Sequence, residues 1–280
     1  MKLHFLGANR QVTGSRYVLE AGGRQVMIDC GLFQERQFLE RNWSCCPIPP
    51  AEIDAMLLTH VHIDHSGLIP KFVKDGFRGP IHTTDPSVPL AEVMLRDAAK
   101  IQEEDAAYKA KRHRREGRRG RYAEIPLYTD DDVNTVLPLL AGCSYGQPVQ
   151  VTPAIRATFH DAGHILGSAM IEVDATENSQ TTKIIFSGDI GQWHKPIIRD
   201  PSLLARGDYI VMESTYGDRM HEDGGDVGTQ LERVVNKTLA AGGNVVIPTF
   251  ATERAQELMY YFGRLTHDKR IPHMPVFMDS

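Results

Sequence analysis

The chain has 280 residues, 41% hydrophobic and 24% charged, with a formal net charge of −5. It is long enough to bury a substantial core in one large domain or two smaller ones, and its composition is that of an ordinary soluble globular protein. No stretch approaches about 18 uninterrupted apolar residues, which excludes a helix that spans a membrane.

Met1–Gly7 is too short an apolar run for a secretion signal and reads as a first strand. With no export signal the expected location is cytoplasmic. The four cysteines, Cys30, Cys45, Cys46 and Cys143, lack CxxC spacing and read as reduced. Ser15–Ala21 and Arg24–Asp29 flank Gly22-Gly23, the pattern of a two-residue hairpin. Ala55–Thr59 is a short apolar strand that runs into Thr59-His60-Val61-His62-Ile63-Asp64-His65-Ser66-Gly67. Asp85–Tyr108 has helical periodicity and leads into a basic stretch, where Gly117 and Gly120 end any helix. A further helix is expected over Asp130–Leu140. Strands return at Val149–Thr152, Ile155–His160, Ala169–Ala175 and Thr182–Ser187. From Asp208 the rhythm changes to strand Tyr209–Glu213, helix Val227–Ala241, strand Asn244–Pro248, helix Thr252–Leu265 and strand Val276–Asp279. That alternation marks a parallel α/β unit, with a domain boundary near residue 208.

Charge is uneven. Lys109–Arg121 holds eight Lys or Arg against one acid, Glu116, and the rest of the chain has 23 basic against 35 acidic residues, a balance of −12. Arg112, Arg114, Arg115, Arg118 and Arg119 are therefore candidates for drawing in a phosphate backbone, the alternative being a solvated helix extension.

The histidine run carries the chemistry. His60 and His62 are two apart, so an extended backbone turns both toward one ion. Asp64 and His65 follow where the chain turns into a helix, which aims them at a second position. Imidazole nitrogen and carboxylate oxygen are donors that Zn²⁺ accepts. Downstream, His164 sits in a loop between Gly163 and Gly167, and Asp189 follows the apolar strand Ile184-Ile185-Phe186. An aspartate there is able to bridge two cations.

The run His60-Val61-His62-Ile63-Asp64-His65 resembles the signature motif of the metallo-β-lactamase superfamily. Asp29 in Met27-Ile28-Asp29-Cys30-Gly31, His164 and Asp189 match its other conserved positions. Met212-Glu213-Ser214-Thr215-Tyr216-Gly217-Asp218-Arg219 and Pro248-Thr249-Phe250-Ala251-Thr252-Glu253-Arg254-Ala255-Gln256-Glu257 resemble the β-CASP branch of RNA-processing nucleases. The resemblance implies an αββα sandwich over residues 1–208 and the first part of an inserted parallel α/β (β-CASP) domain over 209–280. It implies that His60, His62 and His164 hold one zinc ion and Asp64 and His65 a second, with Asp189 bridging. Asp29 would orient the ligand loop from behind. Asp64, Asp189 and Glu213 would be catalytic, Glu213 as the acid that supports a histidine beside the leaving group. The implied reaction is hydrolysis of an RNA phosphodiester, endo- or 5′-to-3′ exonucleolytic, by a hydroxide shared between the metals.

The family pattern continues past the segment matched by Val276–Ser280, with two further histidines and the elements that close the first domain. The expectation is therefore a piece of a longer nuclease whose second zinc site is incomplete. The alternatives are an inactive or weakly active RNA-binding subunit, or a small-molecule metallo-hydrolase on the same fold. Homo-oligomerisation is left open.

Overall fold

The computed structural model describes residues 1–119, 124–220 and 225–279; Gly120 and Arg121 of the basic run lie outside them, as does His221. Two compact units are present, one of Met1–Gly191 with Pro201–Glu213, the other of Gln192–Asp200 with Ser214–Ser280.

The first unit holds two sheets. Strands β1 (Lys2–Phe5), β2 (Tyr17–Ala21), β3 (Arg24–Ile28), β4 (Ala55–Leu57), β5 (Ile81–Thr84) and β6 (Leu140–Cys143) form one in sequence order. The first three are antiparallel, with both hairpin glycines, Gly22 and Gly23, at positive φ; β3 to β6 are parallel. Strands β7 (Pro148–Thr152), β8 (Ile155–Asp161), β9 (Ala169–Glu177), β10 (Gln180–Phe186) and β11 (Tyr209–Val211) form the second, in the order β11-β10-β9-β8-β7.

Alternation along the strands builds two cores, because successive side chains point to opposite faces. Leu19, Val26, Ile28, Ala55 and Leu57 face Ala157, Phe159, Ile171, Val173 and Phe186 between the sheets. Their neighbours Val18, Met27 and Met56 face a helical layer on the other side. That layer is α2 (Ile69–Lys74), α3 (Ser87–Glu116) and α4 (Asp130–Val136), joined to the sheet through Phe72, Leu95, Ala99 and Val133. The other face of the second sheet carries charge, with Arg156 bonded to Asp174 at 2.7 Å and Lys183 paired with Glu172 and Asp174. Among the described residues of this unit, the helices cover the first sheet and leave that charged face bare.

Several elements differ from expectation. The helix expected to end at Tyr108 runs on to Glu116, and Gly117 caps it at φ 64. The expected Asp130–Leu140 helix stops at Val136 and a 3₁₀ turn, Leu137–Leu139, where Pro138 removes a backbone donor, and Leu140 then opens β6. The polar loop expected at Thr176–Thr181 shrinks to Asn178-Ser179, both at positive φ, because β9 and β10 pair right up to it. Strand β11 was expected to open the second domain. It pairs parallel with β10, so Tyr209–Val211 belongs to the first unit's sheet and the division falls after Glu213.

In the second unit α5 (Val227–Ala240) and α6 (Arg254–His267) meet through Val235, Leu265 and Ile271. The expected strands Asn244–Pro248 and Val276–Asp279 are not formed. A parallel strand takes its hydrogen bonds from neighbours, and these segments pair with none among the described residues. Val246 and Phe277 are consequently 87% and 88% exposed.

Candidate metal centre

Three loops bring the donors together, and each is fastened to another. β4 delivers Thr59-His60-Val61-His62 in extended form, and the one-turn helix α1 (Ile63–Ser66) presents Asp64 and His65. Ala169 N donates to Thr59 O at 2.8 Å, which ties the first loop to the one bearing His164. In that second loop, Ser168 Oγ accepts from His164 N at 3.1 Å and from Ile165 N at 3.2 Å. The third loop, after β10, carries Asp189. Gly191 N donates to Ala162 O at 2.9 Å, and the backbones are so close there that a Cβ on Gly191 would run into Gly163 O. Gly31 meets the same constraint against Asp64 O.

His60, His62, His164 and Asp189 each offer a ligand atom, and those atoms lie within 4.8 Å of one another. His164 Nε2 is 3.1 Å from His62 Nδ1 and 3.6 Å from Asp189 Oδ2, and His60 Nε2 is 3.8 Å from that oxygen. Donors about 2.0–2.1 Å from a tetrahedral cation are separated by about 3.3 Å, so the spacing fits one divalent ion. His60 supplies a second test. Its Nε2 is buried with no hydrogen-bond partner, a costly state for a polar atom that a cation would relieve. His65 Nε2 lies 3.3 Å from Asp189 Oδ1 and 3.9 Å from Asp64 Oδ2. His65 thus faces the other oxygen of Asp189, and Asp64 stands beside His65, both outside the four-residue cluster.

Asp29 is buried behind the ligands at φ 56. It accepts from Thr59 N at 2.8 Å, Thr59 Oγ1 at 3.0 Å, Ser15 Oγ at 3.2 Å and His65 Nδ1 at 2.7 Å. A carboxylate on Nδ1 holds the proton there and turns the Nε2 lone pair toward the centre. Glu213 lies beside the third loop: its Oε1 accepts from Ile190 N at 2.8 Å, and its own N donates to Ser187 Oγ at 3.1 Å. In this structure Glu213 fixes the peptide that follows Asp189.

The electrostatics suit metal ligation at three of the four histidines. Burial, then the neighbouring imidazoles, pushes His60 well below its ordinary pKa. Burial likewise lowers His62, and takes His164 to about 4. For His65 burial pulls downward, but Asp29 and Asp189 outweigh it and hold the proton well above the usual range. Burial raises Asp64, whereas the contact with His65 overcomes burial at Asp189 and lowers it.

A pH dependence follows for the metal-free chain. An unfolded histidine titrates near 6.5, so below that pH the unfolded state binds more protons at the His60, His62 and His164 positions, for His164 down to about 4. Stability from these groups is present above 6.5 and is lost as pH falls through that window. His65 acts oppositely: its contribution is complete below 6.5 and fades as pH rises through its raised pKa. With His60, His62 and His164 all shifted downward, the chelator-treated chain should melt lower at pH 4.5 than at pH 7. His164→Ala should shrink that difference, and calorimetry finding the same difference in both proteins would refute the assignment.

Residues 10–141 match the family model described as the metallo-beta-lactamase superfamily. The match spans the histidine run and Asp29, with His164 and Asp189 brought to them by the second sheet. The chain is 37% identical over 280 residues to ribonuclease TTHA0252 of Thermus thermophilus, covering all of this chain and 58% of that protein. It is 29% identical over 287 residues to transcription termination factor FttA of Methanocaldococcus jannaschii, covering all of this chain and 42% of that protein. The chain thus spans about half the length of the curated relatives it matches. Among solved structures, the subclass B3 metallo-beta-lactamase BJP-1 of Bradyrhizobium japonicum aligns at a TM-score of 0.43 and 16% identity, over 95% of this chain and 89% of that one. No helix among the described residues is long and apolar enough to cross a membrane.

Of the six expected ligand residues the structure gathers His60, His62, His164 and Asp189 in one cluster, sets His65 3.3 Å from Asp189, and leaves Asp64 beside His65. Three hydroxyl residues that fasten the loops were not among the expected site residues: Ser15, Ser168 and Ser187. Ser168 and Ser187 stand beside ligands in sequence, so turn chemistry was a usable signal for them. Ser15 reaches the site through its backbone, donating from N to Asp64 O and accepting at O from Gly31 N, contacts that no local pattern announces.

Proposed function

We propose that this chain carries the metal centre of a zinc-dependent hydrolase that cleaves RNA phosphodiester bonds in the cytoplasm. His60, His62, His164 and Asp189 hold one zinc ion, and Asp64 and His65 face a second beside Asp189. The observation that carries the reading is the four-donor cluster with the unpartnered His60 Nε2 inside it. Similarity to a ribonuclease and the β-CASP-like segments around Glu213 and Arg254 point to RNA, with the residues from Ser214 onward as the beginning of the inserted domain.

When bound, two such cations supply an acidified water and positive charge opposite the oxygens that gain charge as the phosphodiester breaks. The chain's residues prepare that arrangement. Burial keeps His60 and His164 unprotonated at neutral pH, so their lone pairs are available without proton release. Asp29 holds the His65 proton on the far nitrogen, and Glu213 fixes the peptide after Asp189.

The test is incubation of zinc-loaded chain with end-labelled RNA, with and without chelator. Zinc-dependent shortening of the RNA is expected. RNA left intact at stoichiometric enzyme with both metal positions filled would reject the hydrolase and favour a binding subunit.

A further inference from the structure

We infer that Thr84 and Ser87 are positioning residues for the metal centre: their hydroxyls hold the Gly167 carbonyl on the first turn of α3 and so place His164 among the ligands. This rests on the zinc reading above and assigns one of its ligands a support.

His164 differs from its partners in what stands behind it. Asp29 accepts from His65 Nδ1, and Thr59 Oγ1 is 3.1 Å from His60 Nδ1. His164 Nε2 faces His62 and Asp189, and among the described residues nothing bonds its Nδ1. A ligating imidazole ordinarily gives its other nitrogen to a carboxylate, a carbonyl or water, which fixes the ring. At His164 no protein group does so, which leaves the backbone of the Gly163–Ser168 loop to set where the ring stands.

That loop hangs from three hydroxyls outside it. Thr84 Oγ1 donates to Gly167 O at 2.6 Å, and Ser87 Oγ donates to the same oxygen at 2.9 Å. A carbonyl oxygen has two lone pairs, and here both are taken. Tyr145 OH donates to Ser168 O at 2.9 Å. Ser168 Oγ passes the constraint on, accepting from His164 N and Ile165 N. Gly167 is at φ 82, and a Cβ on it would stand 2.5 Å from Ser87 Oγ and 2.9 Å from Ser87 N, so the loop lies directly on the helix.

The donors sit on a firmly held platform. Thr84 ends β5 in register with Cys143 of β6, Asp85 N donates to Cys143 O at 3.1 Å, and Ser144 Oγ donates to Asp85 Oδ2 at 2.8 Å. Ala91, Leu95 and Ala99 anchor α3 in the core. Thr84, Ser87 and Ser168 are fully buried. The needs of the helix do not explain Ser87, because no side chain caps α3 and the Ser87 hydroxyl goes to Gly167 instead. Arg112, Arg114 and Arg115, the basic residues singled out in the sequence, stand at the other end of this helix, about 40 Å from Ser87 along its axis. Removing the hydroxyls leaves a buried carbonyl unsatisfied, a cost the loop escapes only by moving. A ligand displaced by more than about 0.5 Å no longer meets the geometry of its site.

The experiment measures zinc affinity of the whole chain by competition with a chromophoric chelator. The double variant Thr84→Val, Ser87→Ala should weaken the site of His60, His62, His164 and Asp189 roughly tenfold. Thr84→Ser, which keeps the donor, should bind as the wild type does. Thr152→Val removes another buried hydroxyl, bonded to Ala154 N at the opposite end of β8, and should also leave affinity unchanged. A cycle with His164→Ala decides between positioning and general support. In a chain that already lacks the imidazole, the double substitution should cost no further affinity, because its effect passes through that ligand. Equal loss in both backgrounds would overturn the inference, as would wild-type affinity in the double variant. If melting in chelator shows the double variant unfolded, Ser87→Ala alone carries the same cycle, with a smaller loss because Thr84 still donates. A wild type that takes up no zinc would reject the zinc reading and this role together, whereas normal zinc binding by the double variant rejects the role alone.

Discussion

Replacing Asp189 with alanine is expected to remove tightly held metal and to abolish RNA cleavage. The carboxylate is the one group that touches both halves of the centre. Its Oδ2 lies near His60 and His164, and its Oδ1 is 3.3 Å from His65 Nε2. Without it the cluster keeps three imidazoles and loses its only negative charge, while Asp64 and His65 face no shared partner. The Gly188 and Gly191 backbone and the Glu213 bond to Ile190 survive the change, so the loop should persist and the loss be chemical rather than structural. Metal analysis after dialysis measures the effect. The wild type should retain one equivalent of zinc firmly and a second weakly, because the second position has only Asp64, His65 and Asp189 among the described residues. The variant should retain well under one. Full occupancy in Asp189→Ala, or two firmly held equivalents in the wild type, would contradict this arrangement.

The local features of the centre were legible in the sequence and its long-range connections were not. The histidine run announces itself because β4 and α1 place four donors within six residues, and local geometry determines where they point. The Gly22-Gly23 hairpin is legible for the same reason. The extent of α3 was not, since a run dense in like charge obscures the amphipathic pattern of its last three turns, and Gly117 is compatible with a break or a cap. The segments Asn244–Pro248 and Val276–Asp279 show the converse failure. An apolar run reads as a strand whether or not another strand is present to pair with it, and pairing is a tertiary fact. β11 illustrates the same limit, because its parallel partnership with β10 joins segments separated by a long loop. Glu213 was expected as an acid that supports a histidine; its bond to Ile190 N depends on that pairing and is visible only in three dimensions.

Asp29 offers the sharpest test of how the centre is prepared. An aspartate at the end of a strand looks like a turn residue, and its φ of 56 is one that Asp and Asn tolerate better than other side chains. Asp29→Ala should be severely destabilising, by about 3–5 kcal/mol, because it strips a buried carboxylate from His65, Thr59 and Ser15 at once. Asp29→Asn separates folding from function. Asparagine keeps the backbone conformation, and its one oxygen can still accept from Thr59 N. The amide nitrogen then occupies the place of Oδ2, which is 2.7 Å from His65 Nδ1. Two donors cannot face each other at that distance, so His65 must turn its Nδ1 lone pair to the amide and carry its proton on Nε2. That proton points into the centre, where Asp64 and Asp189 stand and a ligand lone pair is needed. The Asn variant should therefore fold with most of its stability but lose about 10–100-fold in affinity for the weaker metal and in cleavage. The firm site, built on His60, His62 and His164, should change little. Titration calorimetry distinguishes the two positions, and wild-type affinity at both in Asp29→Asn would show that Asp29 supports the fold without setting the histidine's tautomer.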